Sequence, residues 1–264
     1  TDIKMIYYGH DLHFMREFRE YELTGDVKKR QESEYWKSIE FSLFHKVAVS
    51  YYPSYVEEEA IHAVDETIPV KAITAYVYEE FLQNLNKDFA KREGLLFVGG
   101  FAHPPNADAV LWFAKEVFPK IREQIKVNFY IVGSKVTDEI KALEQPGNGI
   151  IVKGFVSEEE LADLYRNCRI VVVPLRYGAG VKGKVVEAIY NGAPIVTTSV
   201  GSEGIPDVEK VLLVKDQPDE FAETVVELYK DEKRLEDLAE KTQVYIREHF
   251  SIDAAWDVIK EDFE

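Results

Sequence analysis

Ile170-Val171-Val172-Val173 runs directly into Pro174-Leu175-Arg176-Tyr177-Gly178-Ala179-Gly180-Val181-Lys182-Gly183-Lys184-Val185-Val186-Glu187-Ala188. The unbroken apolar run predicts a strand covered on both faces, and the spacing from Lys182 to Tyr190 predicts a helix. Between them lies a loop whose two glycines let the backbone turn tightly. Gly180 brings no capping side chain, so the N–H groups at the helix start stay free, and together with the helix dipole they make an anion site. Lys182 adds a positive charge in the first turn. This combination suits a diphosphate, and Glu187, further down the helix, can accept hydrogen bonds from two ribose hydroxyls. Blander readings exist. A Gly-x-Gly before a helix often binds nothing, and Lys184 and Glu187 at i,i+3 read equally well as a surface ion pair worth little. Lys182 shares the stripe of Val185 and Ile189, which is unusual for a solvated lysine.

The regular pattern extends on both sides of this loop. Strands are predicted at Leu95 to Val98, Phe129 to Val132, Gly149 to Val152, Pro194 to Thr198 and Val211 to Val214. Helices are predicted at Asn106 to Gln124, Asp138 to Leu143, Ser157 to Asn167, Asp219 to Tyr229, Glu232 to Glu248 and Asp253 to Phe263. Ser157-Glu158-Glu159-Glu160 is a capping box. Strands alternating with helices imply an α/β fold with a parallel sheet covered on both faces. Ligands then bind beyond the carboxyl ends of the strands, at the loops following residues 98, 132, 154, 173 and 198. The first ninety residues are less regular. They predict strands at Ile3 to Tyr8, Val47 to Ser50 and Val70 to Thr74, with helices at Glu32 to Lys46 and Ser54 to Val64. Asn84 to Glu93 is polar and reads as a linker.

The 264 residues carry a formal net charge of −16, which argues against a general affinity for nucleic acid. Cys168 is the single cysteine, so no intrachain disulfide can form, and a cytoplasmic setting is the simplest. No apolar run approaches the roughly 18–20 residues that span a bilayer. The chain starts at Thr1 almost inside a strand, which reads as a cut within a larger protein. No GxGxxG follows the first regular strand, since Gly99-Gly100-Phe101-Ala102-His103 does not fit, and no Gly-Lys-Ser/Thr loop is present; nicotinamide-dependent and P-loop chemistry are disfavoured. Apart from His10-x-x-His13 the histidines show no metal-ligand spacing, so a zinc site is not expected.

Several stretches in order carry a resemblance: Phe97-Val98-Gly99-Gly100-Phe101 with Pro104-Pro105-Asn106, Gly154-Phe155-Val156-Ser157, Pro174 through Ala188, Gly192 to Thr198, and Gly201-Ser202-Glu203-Gly204-Ile205. They make the chain similar to the retaining GT-B glycosyltransferases of family 4. The resemblance implies two Rossmann-like domains facing across a cleft. Residues 1–90 would be part of the N-terminal, acceptor-side domain, residues 91–250 the nucleotide-sugar domain, and residues 251–264 a helix returning to the N-terminal domain. It implies that Gly100 and Phe101 line the donor site, that Gly154 and Phe155 border the base, that Glu187 takes the ribose, and that Gly178, Gly180, Val181 and Lys182 take the diphosphate with Lys184 nearby. His10 matches a strand-end histidine beside the donor sugar, and with Lys182 it is the candidate catalytic residue; a structural histidine is the alternative.

Two departures stand out. Of the family's paired glutamates only Glu187 is present, with Ala179 at the other position. Lys182, which the usual motif lacks, is shared with a branch of bacterial polysaccharide enzymes. The βα units that precede Ile3–Tyr8 in the family are not in this sequence, so Trp36, Phe41 and Phe44 are expected to need a covering partner, through self-association or a missing N-terminal segment. The activity implied is transfer of a hexosyl or deoxyhexosyl group from a nucleoside-diphosphate sugar to a saccharide or lipid-linked acceptor. Retention, no metal or other cofactor, and a cytoplasmic location, peripheral at the inner membrane face, complete the expectation. A non-catalytic nucleotide-sugar-binding fragment and a nucleotide-sugar epimerase are the alternatives.

Overall fold

The structure is a computed structural model and describes residues 4–178 and 180–263. Its larger sheet has six parallel strands: β4 (Leu95–Val98), β5 (Phe129–Val132), β6 (Ile150–Gly154), β7 (Ile170–Val173), β8 (Ile195–Thr197) and β9 (Leu212–Val214). They lie in the order β6-β5-β4-β7-β8-β9, which reverses direction between β4 and β7. This is the doubly wound arrangement, and the reversal is the switch point at which such sheets leave a crevice. β4 pairs with β5 through Val98 but with β7 only through Leu96, so the two strands part towards their carboxyl ends.

Helices cover both faces, as the apolar strands require. α4 (Pro104–Trp112), a π-turn at Phe113–Val117 and α5 (Phe118–Arg122) form the single helical stretch predicted from residue 106. Within it the Phe118 N–H reaches the Phe113 carbonyl, which keeps both rings in the core. α6 (Asp138–Lys141) and α7 (Glu158–Asn167) start on the hydroxyls of Thr137 and Ser157. α8 (Gly183–Tyr190) begins one residue later than predicted: Lys182 is its N-cap, extended at φ −86° and ψ 105°. α9 (Ser199–Ser202), α10 (Pro218–Lys230), α11 (Glu232–Phe250) and α12 (Ile252–Phe263) complete the chain.

The smaller sheet has β1 (Ile6–Tyr8), β2 (Val49–Tyr52) and β3 (Val70–Ala72), all parallel and in that order. Ile3, part of the predicted first strand, lies outside the described residues. α1 (His13–Thr24), which the sequence reading did not contain, pairs with α2 (Val27–Phe44); α3 (Tyr55–His62) lies between β2 and β3. Leu12, Phe44, Tyr52, Ile61, Ile68 and Val70 make a separate small core. Of Trp36, Phe41 and Phe44, expected to need a covering partner, two already pack within the chain, while Trp36 stays part-exposed. Phe44 is buried, Phe41 packs on that core, and the Trp36 ring stacks on His13 at 4.5 Å.

The polar stretch predicted as a linker is pinned rather than solvated. Phe89 and Arg92 are buried, and Arg92 donates to the carbonyls of Cys168 and Tyr165. The two chain passages between the sheets touch each other, because the Tyr78 N–H donates to Phe250 and Tyr78 bridges to Ser251. α12 lies against the small sheet through Asp262, which accepts from Tyr51 and, at 2.7 Å, from Lys71. Its predicted apolar stripe is only part-covered, with Ile252 and Trp256 about half exposed.

Candidate functional site

The carboxyl ends of the two sheets face one another. A Cβ on Gly180 would sit 3.5 Å from the His10 carbonyl and 3.4 Å from Glu57 Oε1, and one on Gly204 would sit 2.5 Å from Ser54 Cβ. Gly204 also has φ +73°, so both space and backbone reserve that position for glycine.

In the crevice between β4 and β7, Asn106 at the start of α4 is buried and donates to the Gly100 carbonyl at 2.8 Å. Its Oδ1 accepts from Lys184 Nζ at 2.8 Å, and the ammonium lies 5.9 Å from the Phe97 ring centroid. The surface ion pair between Lys184 and Glu187 is therefore not formed; Lys184 points into the crevice instead. Burial, then the neighbouring Lys182 charge, pushes the Lys184 ammonium down to about 8. His103, on the loop after β4, is held below the usual imidazole range by burial and then by Lys184.

On the β7 side, the N–H groups of Gly180, Val181 and Lys182 donate to no backbone or side-chain acceptor among the described residues. Successive free N–H groups leading into a helix start make an anion-binding concavity. The Lys182 side chain does not point into it. Only 9% exposed, its ammonium turns back to the Gly180 carbonyl and lies 3.6 Å from Glu203. Arg19, from α1, reaches across to the Gly178 carbonyl at 3.1 Å and to Glu203 at 2.7 Å. The absent glutamate at Ala179 lies outside the described residues.

Glu187 is half-buried one turn into α8. Burial pushes its carboxyl up, while Tyr165 and Lys184 pull the other way. The face of α8 carrying Gly183, Glu187 and Tyr190 is bordered by the chain passage at residues 76–78. Tyr76 covers Gly183 so closely that a Cβ there would fall 2.5 Å from its hydroxyl, and the Tyr78 ring stacks on Tyr190 at 4.2 Å.

The other expected residues divide. His10 is exposed at the end of β1, its ring 5.6 Å from Tyr8 and its carbonyl near Gly180. Gly154, at φ +70°, ends β6, and the Phe155 ring beyond it is 82% exposed, an open apolar face at the sheet edge. The Phe101 ring is buried in the core 6.2 Å from Phe97, so it meets the crevice through its backbone, whose N–H donates to the Ser134 carbonyl. Asn106, Arg19, Glu203 and Glu57 were not singled out as site residues. Asn106 and Glu203 lie inside quoted motifs, and Ser54-x-x-Glu57 has capping-box spacing; nothing local marks Arg19.

The crevice thus offers a lysine ammonium, free N–H groups at a helix start, a carboxylate one turn on and an exposed aromatic ring, which together fit a nucleoside diphosphate. Among the described residues no group of three or more His, Cys, Asp or Glu side chains is placed to hold a metal ion, and no helix is long and apolar enough to cross a membrane.

Known proteins share this architecture. Staphylococcus aureus TarM, crystallised with fondaparinux, alpha-GlcNAc-glycerol and UDP, superposes with a TM-score of 0.74 at 13% identity, over 99% of this chain and 51% of that one. Sucrose-phosphate synthase from Thermosynechococcus elongatus gives 0.74 at 16% identity, over 100% of this chain and 68% of that one. Anabaena HepE in complex with UDP and glucose gives 0.68 at 15% identity, over 98% and 71%. An uncharacterized 44.6 kDa protein in the cps region of Klebsiella pneumoniae is 29% identical over 184 residues, 66% of this chain and 45% of that protein. The chain therefore spans about half the length of the Klebsiella protein and of TarM. The profile described as glycosyl transferases group 1 matches residues 92–231, the segment that holds β4 to β9 and the crevice. With more than half of its length inside that match, on a GT-B fold, this chain belongs to the glycosyl transferases group 1 family.

Proposed function

We propose that the crevice binds a nucleoside-diphosphate sugar and that the protein transfers the sugar to an acceptor hydroxyl with retention, as a family 4 type enzyme. The observation that carries this reading is Lys184. A lysine held against Asn106 beside free N–H groups at the switch point is placed for the diphosphate, and Glu187 is placed for the ribose. Phe155 would stack on the base. In the reaction the bond from the anomeric carbon to the β-phosphate oxygen breaks, and a bond to the acceptor oxygen forms. The acceptor proton leaves with the phosphate, and the main task is to stabilise charge developing on that phosphate. Lys184 and the helix start supply this, so the proposal needs no metal. His10 stands at the sugar end, facing the β7 loop.

UDP bound to TarM and to HepE, together with a saccharide or glucose, supports a hexosyl donor and a saccharide acceptor; a lipid-linked acceptor and a cytoplasmic location at the membrane face belong to the same proposal. The division at about residues 90 and 250 is part of the same proposal. A thermal-shift screen of UDP, GDP, dTDP and ADP tests it. A true ligand at a hundred times its dissociation constant adds about 2.7 kcal/mol of stability. Glu187→Ala should then weaken the best nucleotide by at least about tenfold, through loss of charge-assisted hydrogen bonds. No shift with any of the four overturns the nucleotide reading.

A further inference from the structure

We propose that Arg19, Glu203 and Lys182 form a charge clasp between the two sheets that sets the loop after β7, making Lys182 a positioning residue and leaving Lys184 to meet the phosphate. The placement of the phosphate rests on the function proposed above; the clasp itself does not.

Glu203 sits between the two cations, and Arg19 reaches it from the small-sheet side. Arg19 on α1 holds the Gly178 carbonyl, and Lys182 holds the Gly180 carbonyl. Glu203, from the loop after β8, accepts from Arg19 and lies 3.6 Å from Lys182. Glu57 of α3 lies against the same loop. It is fully buried, with one oxygen on the Ser54 hydroxyl and the other, Oε1, without a partner and aimed at Gly180. A capping-box glutamate normally sits at the surface; this one is enclosed because the loop of the other sheet lies over it.

Two observations make the clasp more than a surface ion pair. Both carbonyls it holds belong to glycines with positive φ, +139° at Gly178 and +72° at Gly180, so it fixes the two residues whose backbone is least constrained by its own sterics. With those carbonyls turned to the clasp, the loop keeps the N–H groups of Gly180, Val181 and Lys182 free. Glu203 and Lys182 are nearly buried and are tolerated as charges only in company, so removing Arg19 or either of them strands its partner. Arg19, Gly178 and Glu203 line a cavity of about 640 Å³ between the two sheets, so the clasp faces open space on one side.

Hydrogen exchange on the whole chain without ligand tests the clasp. In Arg19→Ala, and separately in Glu203→Gln, the amides of Val185 and Val186, which donate to the Lys182 carbonyl at the end of the loop, should exchange about tenfold faster than in the wild type, because local opening sets the rate. The double variant should be no faster than the worse single one, as expected for residues acting as one unit, and Arg19→Lys should restore part of the protection. With the best nucleotide of the four, Arg19→Ala should lower nucleoside diphosphate affinity by about threefold to tenfold and leave nucleoside affinity unchanged, whereas Lys184→Ala should abolish the preference for the diphosphate. Unchanged exchange in Arg19→Ala, or additive effects in the double variant, overturns the clasp. A larger loss of diphosphate preference in Lys182→Met than in Lys184→Ala overturns the assignment of the two lysines. If no nucleotide binds the wild type, the proposed function fails while the exchange result still decides the clasp.

Discussion

The two sheets follow the same rule of parallel strands joined by helices, yet they bury themselves very differently. The two central strands of the large sheet, β4 and β7, are apolar along their length, and rings such as Phe113, Phe129 and Phe221 interlock in its core. The core cluster beside the small sheet has six buried apolar residues, four of the sheet's strand positions are tyrosines, and Phe18, Leu23, Val27, Tyr35 and Ile39 on its helices stay exposed. One sheet carries the stability, and the other depends on contacts it makes elsewhere: the α1–α2 ion pairs, Asp262 of α12 and the clasp. A scaffold divided in this way can hold the nucleotide crevice rigid while the facing surface stays adjustable, since stability need not be uniform across a structure.

The comparison can be broken by experiment. Its largest test is Phe113→Ala, which should cost about 3–5 kcal/mol in denaturant unfolding because the surrounding rings cannot collapse into the space. Hydrogen exchange should show β2 opening well before β4 and β7, and equal protection of the two sheets would refute the division of labour. Gly204→Ala should cost about 1–3 kcal/mol, since its Cβ meets Ser54 and its φ is left-handed. That loss should accelerate exchange at Ser54–Glu57 more than within β4 to β9.

The pH dependence comes next. Lys184 titrates at about 8 when the crevice is empty, and a bound diphosphate favours its ammonium, so binding takes up a proton above that pH. Diphosphate affinity should be level below pH 8 and fall as pH rises past it, by up to about tenfold per unit; Lys184→Met should flatten the profile. Stability runs the opposite way. The folded group has the lower value, so the unfolded chain binds more protons between about 8 and about 10.4, and stability without ligand should rise with pH across that window. The smallest effect belongs to Lys87→Ala, at an exposed pair with Glu240, which should change stability by less than about 1 kcal/mol.

Sequence and structure agree where burial is two-sided. β4 to β9 were readable because a strand covered on both faces has no polar alternation to confuse it, and the order of loops then located the crevice. α1 was missed because Arg16, Glu17, Arg19 and Glu20 interrupt its stripe, Leu12 gives its N-terminus no side-chain cap, and its charges are satisfied by α2 and by the far loop. Its one local signal is Gly25, left-handed at φ 71° just past the end. The two lysine side chains point differently from the helical-wheel expectation for a simple reason. A helical wheel begun at Lys182 assumes helical backbone there, but Lys182 is an extended N-cap, so its side chain leaves along another line and Lys184 takes the inner edge. Phe101 was placed in the site by resemblance, yet its ring found a closer home against Phe97. The clasp could not have been seen in one dimension, since Arg19, Lys182 and Glu203 are brought together only when the two sheets meet.

The contact of Tyr78 with Phe250 and Ser251 sets the kinematics of the molecule. Two covalent crossings that stood apart would act as two independent tethers and allow twist, shear and separation alike. Hydrogen-bonded side by side at one point, they act as a single pivot. That pivot sits against α8 itself: Tyr76 covers Gly183, the Tyr78 ring stacks on Tyr190, and Val181 lines one pocket with Thr74 and Phe250, so the hinge line and the helix that opens on the crevice share a wall.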